Sequence, residues 1–578
     1  MSDTNERTSL LNPLISRNED IDENEIISYV QHRRQSIAAS TISNENFPKS
    51  FNFQHHNQHQ STILDGNTLG RTISNISSRS HNTIQEIISN QQNLPPEPKT
   101  TIYSEFIKIS QFSIPLIITF LLQYSLTVAS VFSVGKLGSN ELAAISLSSM
   151  TANISGYAII QGVSTCLDTL CAQSFGKKDF NSVGIHFIRC TYLLLLLFIP
   201  MAILWIWGSY PLLIKIIGND EDNEKMCQLA SQYLKILSLG IPGFIIFENG
   251  KHFLQSQGIF HASTIVLCIC APLNGLLNYL LVWDKSIGLG FIGAPISVVI
   301  TNWIMCLSLL GYIYFINGYQ CLPKTSSYFS SVFFTNWSRM INLSIPGVLM
   351  IEAEWFAFEI ITFEAAKFGT FTLAAQSIIS TTCVIFYQIP FALSIASGTR
   401  IAWYIGAASK KSSIITTKAT IYLSILLGLF NCSILFTFRD FFVKLYTTDE
   451  RVIELAKKVL IIGSIYQIND CLSCATAGIL RGQGRQMIGG IMNLIGYYLL
   501  ALPIAYIFAF ILNYKLIGLW LGMLIALMFV SLSQLYFVIN SNWDKIIQNC
   551  IEEGIIEDGN LNIEAHSMLP SMSNSLVV

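Results

Sequence analysis

Four glutamates lie within one long apolar stretch of the sequence, residues 339–364: Glu352, Glu354, Glu359 and Glu364. On a helix, Glu352 and Glu359 share a face, and Glu354 points about 140° away from Glu359. Glu364 is near the end of the stretch, where water can solvate it. The other three need a water-filled cavity or a proton, because an ionised carboxylate is costly in hydrocarbon. They are therefore candidate residues for binding a cation or a proton.

Asp470 is a second deep acid, near the middle of the apolar stretch 454–480. Burial disfavours the ionised form of a carboxyl group, and a second carboxylate close by disfavours it further. Such a group is neutral when protonated and can hold a cation when ionised, which suits a proton-coupled switch. The alternative is a structural aspartate that is hydrogen-bonded to Asn469 or Tyr466.

Further polar side chains within apolar stretches are candidates for lining a cavity or for closing it. The candidates for the cavity are Glu352, Gln123, Gln376, Thr381, Tyr387 and Tyr466. Asp168 and Arg400 occupy nearly matching places in the two halves of the chain. We expect these two to form ion pairs at helix ends and to close a gate, rather than to contact a substrate.

The elements that carry these residues are predicted to be membrane-spanning helices. Only 12% of the residues are charged and 51% are hydrophobic, with a mean hydropathy of +0.48, whereas soluble domains carry about 25% charged residues. Twelve stretches are each long enough to cross about 30 Å of hydrocarbon, and only helices satisfy the backbone there. The predicted spans are 112–134, 146–171, 187–207, 231–253, 260–283, 289–315, 339–364, 372–400, 419–438, 454–480, 488–512 and 516–540. The predicted fold class is an all-α integral membrane protein.

An internal repeat divides these twelve helices into two groups of six. Four landmarks recur at an offset of about 230 residues: Pro115 and Pro346, Leu142 and Leu373, Gly176 and Gly406, and Gln257 and Gln483. Because six helices return the chain to the same side, the halves share an orientation and are expected to be related by an axis along the membrane normal. The predicted halves are 105–316 and 339–540, joined by a cytosolic linker at 317–338.

The chain ends are predicted to be cytosolic tails, residues 1–100 and 541–578. The first is polar and too poor in apolar residues to fold alone. In it, Glu6 with Leu10 and Leu11 fits a signal for a sorting adaptor, and Ser36 after two arginines fits a kinase site; both motifs also arise by chance. An even helix count places the basic segments on the tail side, in line with the positive-inside rule. These segments contain Lys177, Lys178, Arg189, Lys324, Arg400, Lys410, Lys411, Lys418, Arg481 and Arg485.

Several function classes are disfavoured by the composition and the motifs. A net charge of −2 argues against a nucleic-acid partner. No catalytic triad, phosphate-binding loop or metal cluster appears, so an enzyme, a bound metal and a cofactor are not expected. Most of the thirteen cysteines lie in apolar stretches. The pair Cys471 and Cys474 is interpreted as small core residues rather than as a redox or metal site.

Several motifs together resemble the multidrug and toxic compound extrusion (MATE) family in its eukaryotic, fungal branch, over about residues 105–540. They are KLGSNELAAISL (136–147), CLDTLCAQSFG (166–176), EWFAFE (354–359), LAAQSI (373–378), YQIP (387–390) and GILRGQGRQMIGGIMNLIGYYLLALPIA (478–505). The resemblance implies export by alternating access, driven by inward proton or sodium flow. It places cation coupling in the second half, at Glu354, Glu359 and Asp470.

Two positions depart from the pattern of this family. Many prokaryotic members have a coupling Asp in the first helix, where this chain has Ser130, which puts proton coupling through the first half in doubt. Some animal members have a further Glu in the eighth helix, which binds cationic drugs, where this chain has Thr381. Broad organic-cation specificity is therefore in doubt, and the additional acid Glu352 is a partial substitute.

The predicted function is proton-coupled antiport that exports small organic solutes or xenobiotics. Similarity to fungal members suggests toxic amino-acid analogues as substrates. Sodium coupling and a flippase of lipid-linked precursors are the alternatives within transport, and a receptor or sensor is the alternative outside it. A flippase would need deep basic residues, of which the sequence shows few. We expect a monomer in the vacuolar membrane, with the plasma membrane as the alternative.

Overall fold

The computed structural model describes residues 99–135, 137–217, 221–284, 288–323 and 331–554. Glu6, Leu10, Leu11, Ser36 and Lys324 therefore lie outside the described residues. Residues 99–541 form one compact unit. Residues 542–554 belong to a second unit, and 543–554 are helical.

Twelve long helices make up the main unit. The first half contributes α1 Ile102–Gly135, α2 Asn140–Gly176, α3 Phe180–Lys215, α4 Glu224–Ser256, α5 His261–Trp283 and α6 Gly290–Phe315. The second half contributes α7 Ser338–Ala366, α8 Thr370–Gly406, α9 Lys410–Thr437, α10 Glu450–Gly482, α11 Gln486–Ile511 and α12 Lys515–Ile539. Eleven of the helices in the described part are both long and apolar enough to cross a membrane. The twelfth is α7, whose four glutamates lower its mean hydropathy.

The helix ends are fixed by local signals that recur in both halves. The Asp179 carboxylate accepts a hydrogen bond from the backbone N–H of Ser182 and caps the start of α3. Asp449 caps α10 in the same way. The tight turns after α2 and α8 each contain a residue with a left-handed backbone, Lys178 and Ala408. The repeat seen in the sequence is thus also present in the backbone.

The two halves meet mainly through helices α1 and α2 of the first half and helices α7, α8, α9 and α10 of the second. One close approach is the crossing of α2 and α8 at the ends marked by Gly176 and Gly406. A Cβ atom on Gly176 would overlap the carbonyl oxygen of Trp403, and one on Gly406 would overlap that of Gln173. Only glycine allows the two backbones to approach this closely. The two repeat landmarks therefore pack against each other's helices.

The linker between the halves packs against the first half in the part of it that the structure describes. Arg189 of α3 is buried and donates a hydrogen bond from Nε to the carbonyl oxygen of Val332, at 2.9 Å. Gly184 of α3 contacts the backbone of Cys321. Short 3-10 turns occur at Tyr319–Cys321 and Ser331–Phe333.

Candidate functional site

A small cavity of about 40 Å³ lies between α7, α8, α10 and α11 and reaches α2 of the first half. Its polar lining comes from Thr165, Glu354, Tyr387, Ser394, Ser473, Arg481 and Asn493. This volume can hold water, whereas sites for drug-sized ligands measure about 300–1,000 Å³. The cavity in this conformation is therefore smaller than a site for a drug-sized ligand.

Glu354 faces this cavity from the middle of α7, beside two tyrosines and a second acid. The hydroxyl groups of Tyr466 on α10 and Tyr497 on α11 lie next to its carboxylate, and Asp470 is close enough to interact with it electrostatically. Among the described residues, neither hydroxyl makes a hydrogen bond of good geometry. The carboxyl groups of Glu354 and Asp470 and the two hydroxyls therefore form one polar cluster in the second half.

Asp470 is 2% exposed and accepts a weak hydrogen bond from the thiol of Cys474, at 3.9 Å. Asn469 and Tyr466, the two residues that would hold Asp470 in a structural network, have other neighbours. Asn469 accepts a hydrogen bond from Ser531 at 3.4 Å, and the Tyr466 hydroxyl lies beside Glu354. The sequence-based alternative, in which Asp470 is held by Asn469 or Tyr466, is therefore not found among the described residues.

The other glutamates of α7 occupy different surroundings. Glu352 is half-buried near Tyr498 of α11, and its Oε1 atom has no hydrogen-bond partner within the described part of the chain. Glu359 is half-buried, and none of the contacts found in the described residues links it to Glu354 or Asp470. Glu364, near the helix end, pairs with Lys367 at 2.7 Å. Of the three proposed coupling residues, the structure brings together Glu354 and Asp470.

Four candidates for lining the cavity remain, and one of them, Tyr387, does line it. Gln376 is fully buried and bonded at both ends, donating to Thr362 and Ser380 and accepting from Trp520, so it holds the second half together instead. Thr381 interacts with Tyr124 across the halves. Gln123 lies next to Lys251 of α4, at 3.5 Å.

Asp168 and Arg400 each take part in an ion pair that connects the two halves, but they do not pair with each other. Asp168 accepts from Nδ1 of His252 at 2.6 Å and lies 3.7 Å from Arg481. Arg400 binds Glu105 of α1 through Nε at 3.0 Å and Nη2 at 2.5 Å. All of these side chains are buried.

Arg481 is a cavity residue that the sequence analysis did not select. It lies in the last turn of α10, is 6% exposed and lines the cavity. Asp168 supplies the nearby negative charge, and Nη2 donates to Ser394. Lys251 and His252 on α4 are two further buried basic residues that the sequence analysis did not identify.

Ser130, at the position of the prokaryotic aspartate, lies in a neutral network. Its hydroxyl is 3.5 Å from the side-chain nitrogen of Asn278, which also bonds Asn274, and Asn274 donates to Thr301. No carboxylate belongs to this network among the contacts that the structure describes. Cys471 and Cys474 are both buried, and no cluster of three metal-binding side chains occurs in the described residues.

Comparison with known proteins identifies the fold and the family. The MatE family model matches the chain twice, at residues 115–280 and 346–507, so each half matches separately and each match begins at a repeated proline. An uncharacterized transporter of Saccharomyces cerevisiae is 43% identical over 77% of this chain and 63% of its own length, so the alignment spans less than two thirds of that relative.

Two further comparisons cover most of both proteins. Human multidrug and toxin extrusion protein 1 is 29% identical over 77% of this chain and 76% of its own length. The crystal structure of the eukaryotic MATE transporter AtDTX14 superimposes with a TM-score of 0.72 at 25% identity, covering 78% of this chain and 99% of that one. The two family matches together span more than half of the residues. The chain is therefore an integral, multi-pass membrane protein with two six-helix halves, and it belongs to the MatE family.

Proposed function

We propose that this protein exports small organic solutes in exchange for protons, by alternating access between its two halves. The observation that carries the proposal is the pair Glu354 and Asp470, two interacting carboxyl groups beside a cavity that reaches both halves. Two carboxyls that share a water-poor site resist being ionised together, so a proton binds readily to one of them. Protonation then changes the charge of the cavity, and this favours one conformation over the other.

The contacts between the halves support a state that is closed at the end marked by Gly176 and Gly406. Trp403 donates to the carbonyl oxygen of Ser256, and Thr169 donates to that of Arg481, both across the halves. The positive-inside rule assigns this end to the cytosol. The proposed cycle therefore includes breaking these contacts to admit a solute from the cytosol.

The buried basic residues do not favour a lipid-linked flippase. Arg400 is paired with Glu105, Lys251 with Glu248, and Arg481 lies beside Asp168. A site for phosphate groups needs positive charge that is not already neutralised by carboxylates. Small organic solutes, with amino-acid analogues as one class, therefore remain the proposed substrates.

The test begins with an untargeted comparison of metabolites in cells with and without the gene. A solute that differs is then supplied to proteoliposomes that contain the full chain, under an imposed proton gradient or an imposed sodium gradient. We expect proton-driven transport. Transport that follows only the sodium gradient would instead favour sodium coupling.

The proposed coupling residues are tested in the same liposomes by replacing each side-chain carboxyl group with an amide. Asp470→Asn and Glu354→Gln are expected to abolish proton-driven transport, and Glu359→Gln to reduce it. Asp440→Asn and Glu364→Gln are the matched controls, because Asp440 is exposed and Glu364 pairs with Lys367 near a helix end. Normal proton-driven transport by a folded Asp470→Asn protein would contradict the coupling assignment.

The vacuolar membrane is the proposed location, reached through the motif at Glu6, Leu10 and Leu11. A fluorescent fusion to the full chain reports the location directly. Replacing Leu10 and Leu11 with alanine should shift the fusion to the plasma membrane. An unchanged distribution would show that the motif is not a sorting signal.

A further inference from the structure

Five ionisable side chains form a continuous series that crosses from the first half to the second; we call it the ionic chain. It consists of Lys251, Glu248 and His252 on α4, Asp168 on α2 and Arg481 on α10. Successive closest atoms are 2.6 Å apart for Lys251 and Glu248, 3.6 Å for Glu248 and His252, 2.6 Å for His252 and Asp168, and 3.7 Å for Asp168 and Arg481. Each side chain is at most 7% exposed.

The charges of the ionic chain balance in this conformation without a proton on His252. Asp168 and Glu248 contribute two negative charges, and Lys251 and Arg481 contribute two positive ones. The neutral His252 ring can donate from Nδ1 to Asp168 at 2.6 Å, while its Nε2 atom remains 3.6 Å from Glu248, beyond hydrogen-bond distance. Buried charges are tolerated when they are paired in this way.

Arg481 belongs to the second half, and the other four members belong to the first. Arg481 is also tied to its own half through Ser394 of α8. Opening at the end marked by Gly176 and Gly406 would separate α2 from α8 and α10, so Arg481 would leave Asp168. The first half would then hold two carboxylates and one lysine, with one negative charge uncompensated in a buried place.

We propose that His252 takes up a proton when Arg481 leaves Asp168, so that opening of the two halves at this end is linked to the binding of one proton in the first half. A protonated ring restores the charge balance with Lys251. It also gains a second N–H, which faces Glu248. The inference rests on the proposed alternating access and adds a second proton-binding residue, outside the second-half pair of Glu354 and Asp470.

Further titratable and charged groups surround His252. On α4 itself these are Glu248 and Lys251, and from α1 the neutral amide of Gln123 contacts Lys251. The buried groups on the other helices packed against α4 are Cys166, Asp168 and Cys171 on α2, His186, Arg189 and Cys190 on α3, Cys270 on α5, Cys306 and Tyr312 on α6, and Cys383 and Arg400 on α8. Of these, Asp168 is the one bonded to the ring.

The test measures opening against pH in the full chain, in lipid nanodiscs and without any solute. Fluorescent noncanonical amino acids at positions 181 and 411, which are exposed at the starts of α3 and α9, report the distance between the halves. In the wild type, lower pH should favour the open state. Each linked proton changes the ratio of open to closed protein by up to about tenfold per pH unit.

His252→Gln should lower the maximum slope of this curve by about one proton, because glutamine can still donate to Asp168 but cannot be charged. Asp168→Asn should lower the maximum slope by the same amount, because this variant lacks the carboxylate whose charge the proton on His252 balances. His261→Gln is the matched control: this histidine, in the same half, bonds Tyr312 and not the ionic chain. It should leave the slope unchanged.

An unchanged slope in either folded variant overturns the inference and indicates that water solvates Asp168 in the open state. This outcome is distinct from failure of the proposed function, because the slope is measured without substrate. Wild-type protein that opens with pH but moves no solute under a proton gradient would contradict the proposed export alone. Proton-driven export combined with an unchanged slope in His252→Gln would contradict the role of His252 alone.

Discussion

The Glu105 carboxylate on α1 accepts two hydrogen bonds from the guanidinium group of Arg400 on α8, at 3.0 and 2.5 Å. The Tyr404 hydroxyl donates a third hydrogen bond to the same carboxylate, at 2.8 Å. Glu105 is fully buried, and the Arg400 side chain is 5% exposed. A planar guanidinium group and a carboxylate match in geometry, so this pair joins the two halves at a defined position.

Glu105→Gln should weaken closure of the halves at this end. The variant leaves the buried Arg400 charge without its partner, and breaking a buried ion pair in this way costs about 3–5 kcal/mol. The distance between probes at positions 181 and 411 should therefore report more open protein than in the wild type, at constant pH. The exchanged pair, Glu105→Arg with Arg400→Glu, should recover part of the closed population. A closed fraction equal to that of the wild type would show that the pair does not hold the halves together.

Gly406→Ala tests the close approach of α2 and α8. The added methyl group would overlap the carbonyl oxygen of Gln173, and overpacking of this kind costs about 1–3 kcal/mol. We expect a lower melting temperature together with a shift towards the open state. Gly275→Ala on α5 is the control, because a Cβ atom there meets no atom within 4 Å. Equal melting temperatures for the two variants would contradict the importance of this crossing.

The fold was predictable because its two main signals are properties of the sequence alone. Helix length and hydropathy define the spans, and the repeated landmarks Pro115 and Pro346 define the halves; both family matches begin at these prolines. The predicted first span, 112–134, was shorter than the observed helix, Ile102–Gly135. Hydropathy does not show where a helix continues past its apolar core, and the missing turns contain Glu105.

The site was only partly predictable, because pairing between distant segments is invisible in a single sequence. Glu354 and Tyr387 were selected for depth and do line the cavity. Arg481 was not selected for the cavity, because it follows the predicted span 454–480 in a basic segment on the side of the tails. Its location becomes understandable only once Asp168, which is more than 300 positions earlier in the chain, is found 3.7 Å away.

Cys321 in the linker should resist thiol reagents while the linker is packed on α3. Burial, together with the negative charge of Asp179, raises the pKa of the Cys321 thiol to about 12. At pH 8 about one thiol in ten thousand is then ionised, and the thiolate is the reactive form. Because the pKa in the folded state lies above the unfolded value of about 8.5, this group lowers stability as the pH rises from about 9 towards 12.

The reactivity of Cys321 is measured by maleimide labelling of the full chain at pH 8, with mass spectrometry to identify each labelled cysteine. Gly184→Val should increase labelling of Cys321, because a side chain at that position would overlap the Cys321 carbonyl oxygen and Pro323. Gly311→Ala, where an added Cβ atom meets no neighbour within 4 Å, should not. Labelling of the wild type at the rate of the denatured chain would contradict a linker packed on α3.

Ser130→Ala should leave proton-driven transport within about twofold of the wild type, a change in barrier of less than about 0.5 kcal/mol. The hydroxyl of Ser130 belongs to a network of neutral groups, Asn278, Asn274 and Thr301, none of which changes charge in the physiological pH range. If coupling depends on the carboxyls of the second half and on the ionic chain, removing this hydroxyl affects neither. Asp470→Asn in the same liposomes is the variant expected to lose transport. A loss in Ser130→Ala as large as that in Asp470→Asn would mean that α1 takes part in coupling without a carboxylate, and the assignment to Glu354 and Asp470 would be incomplete.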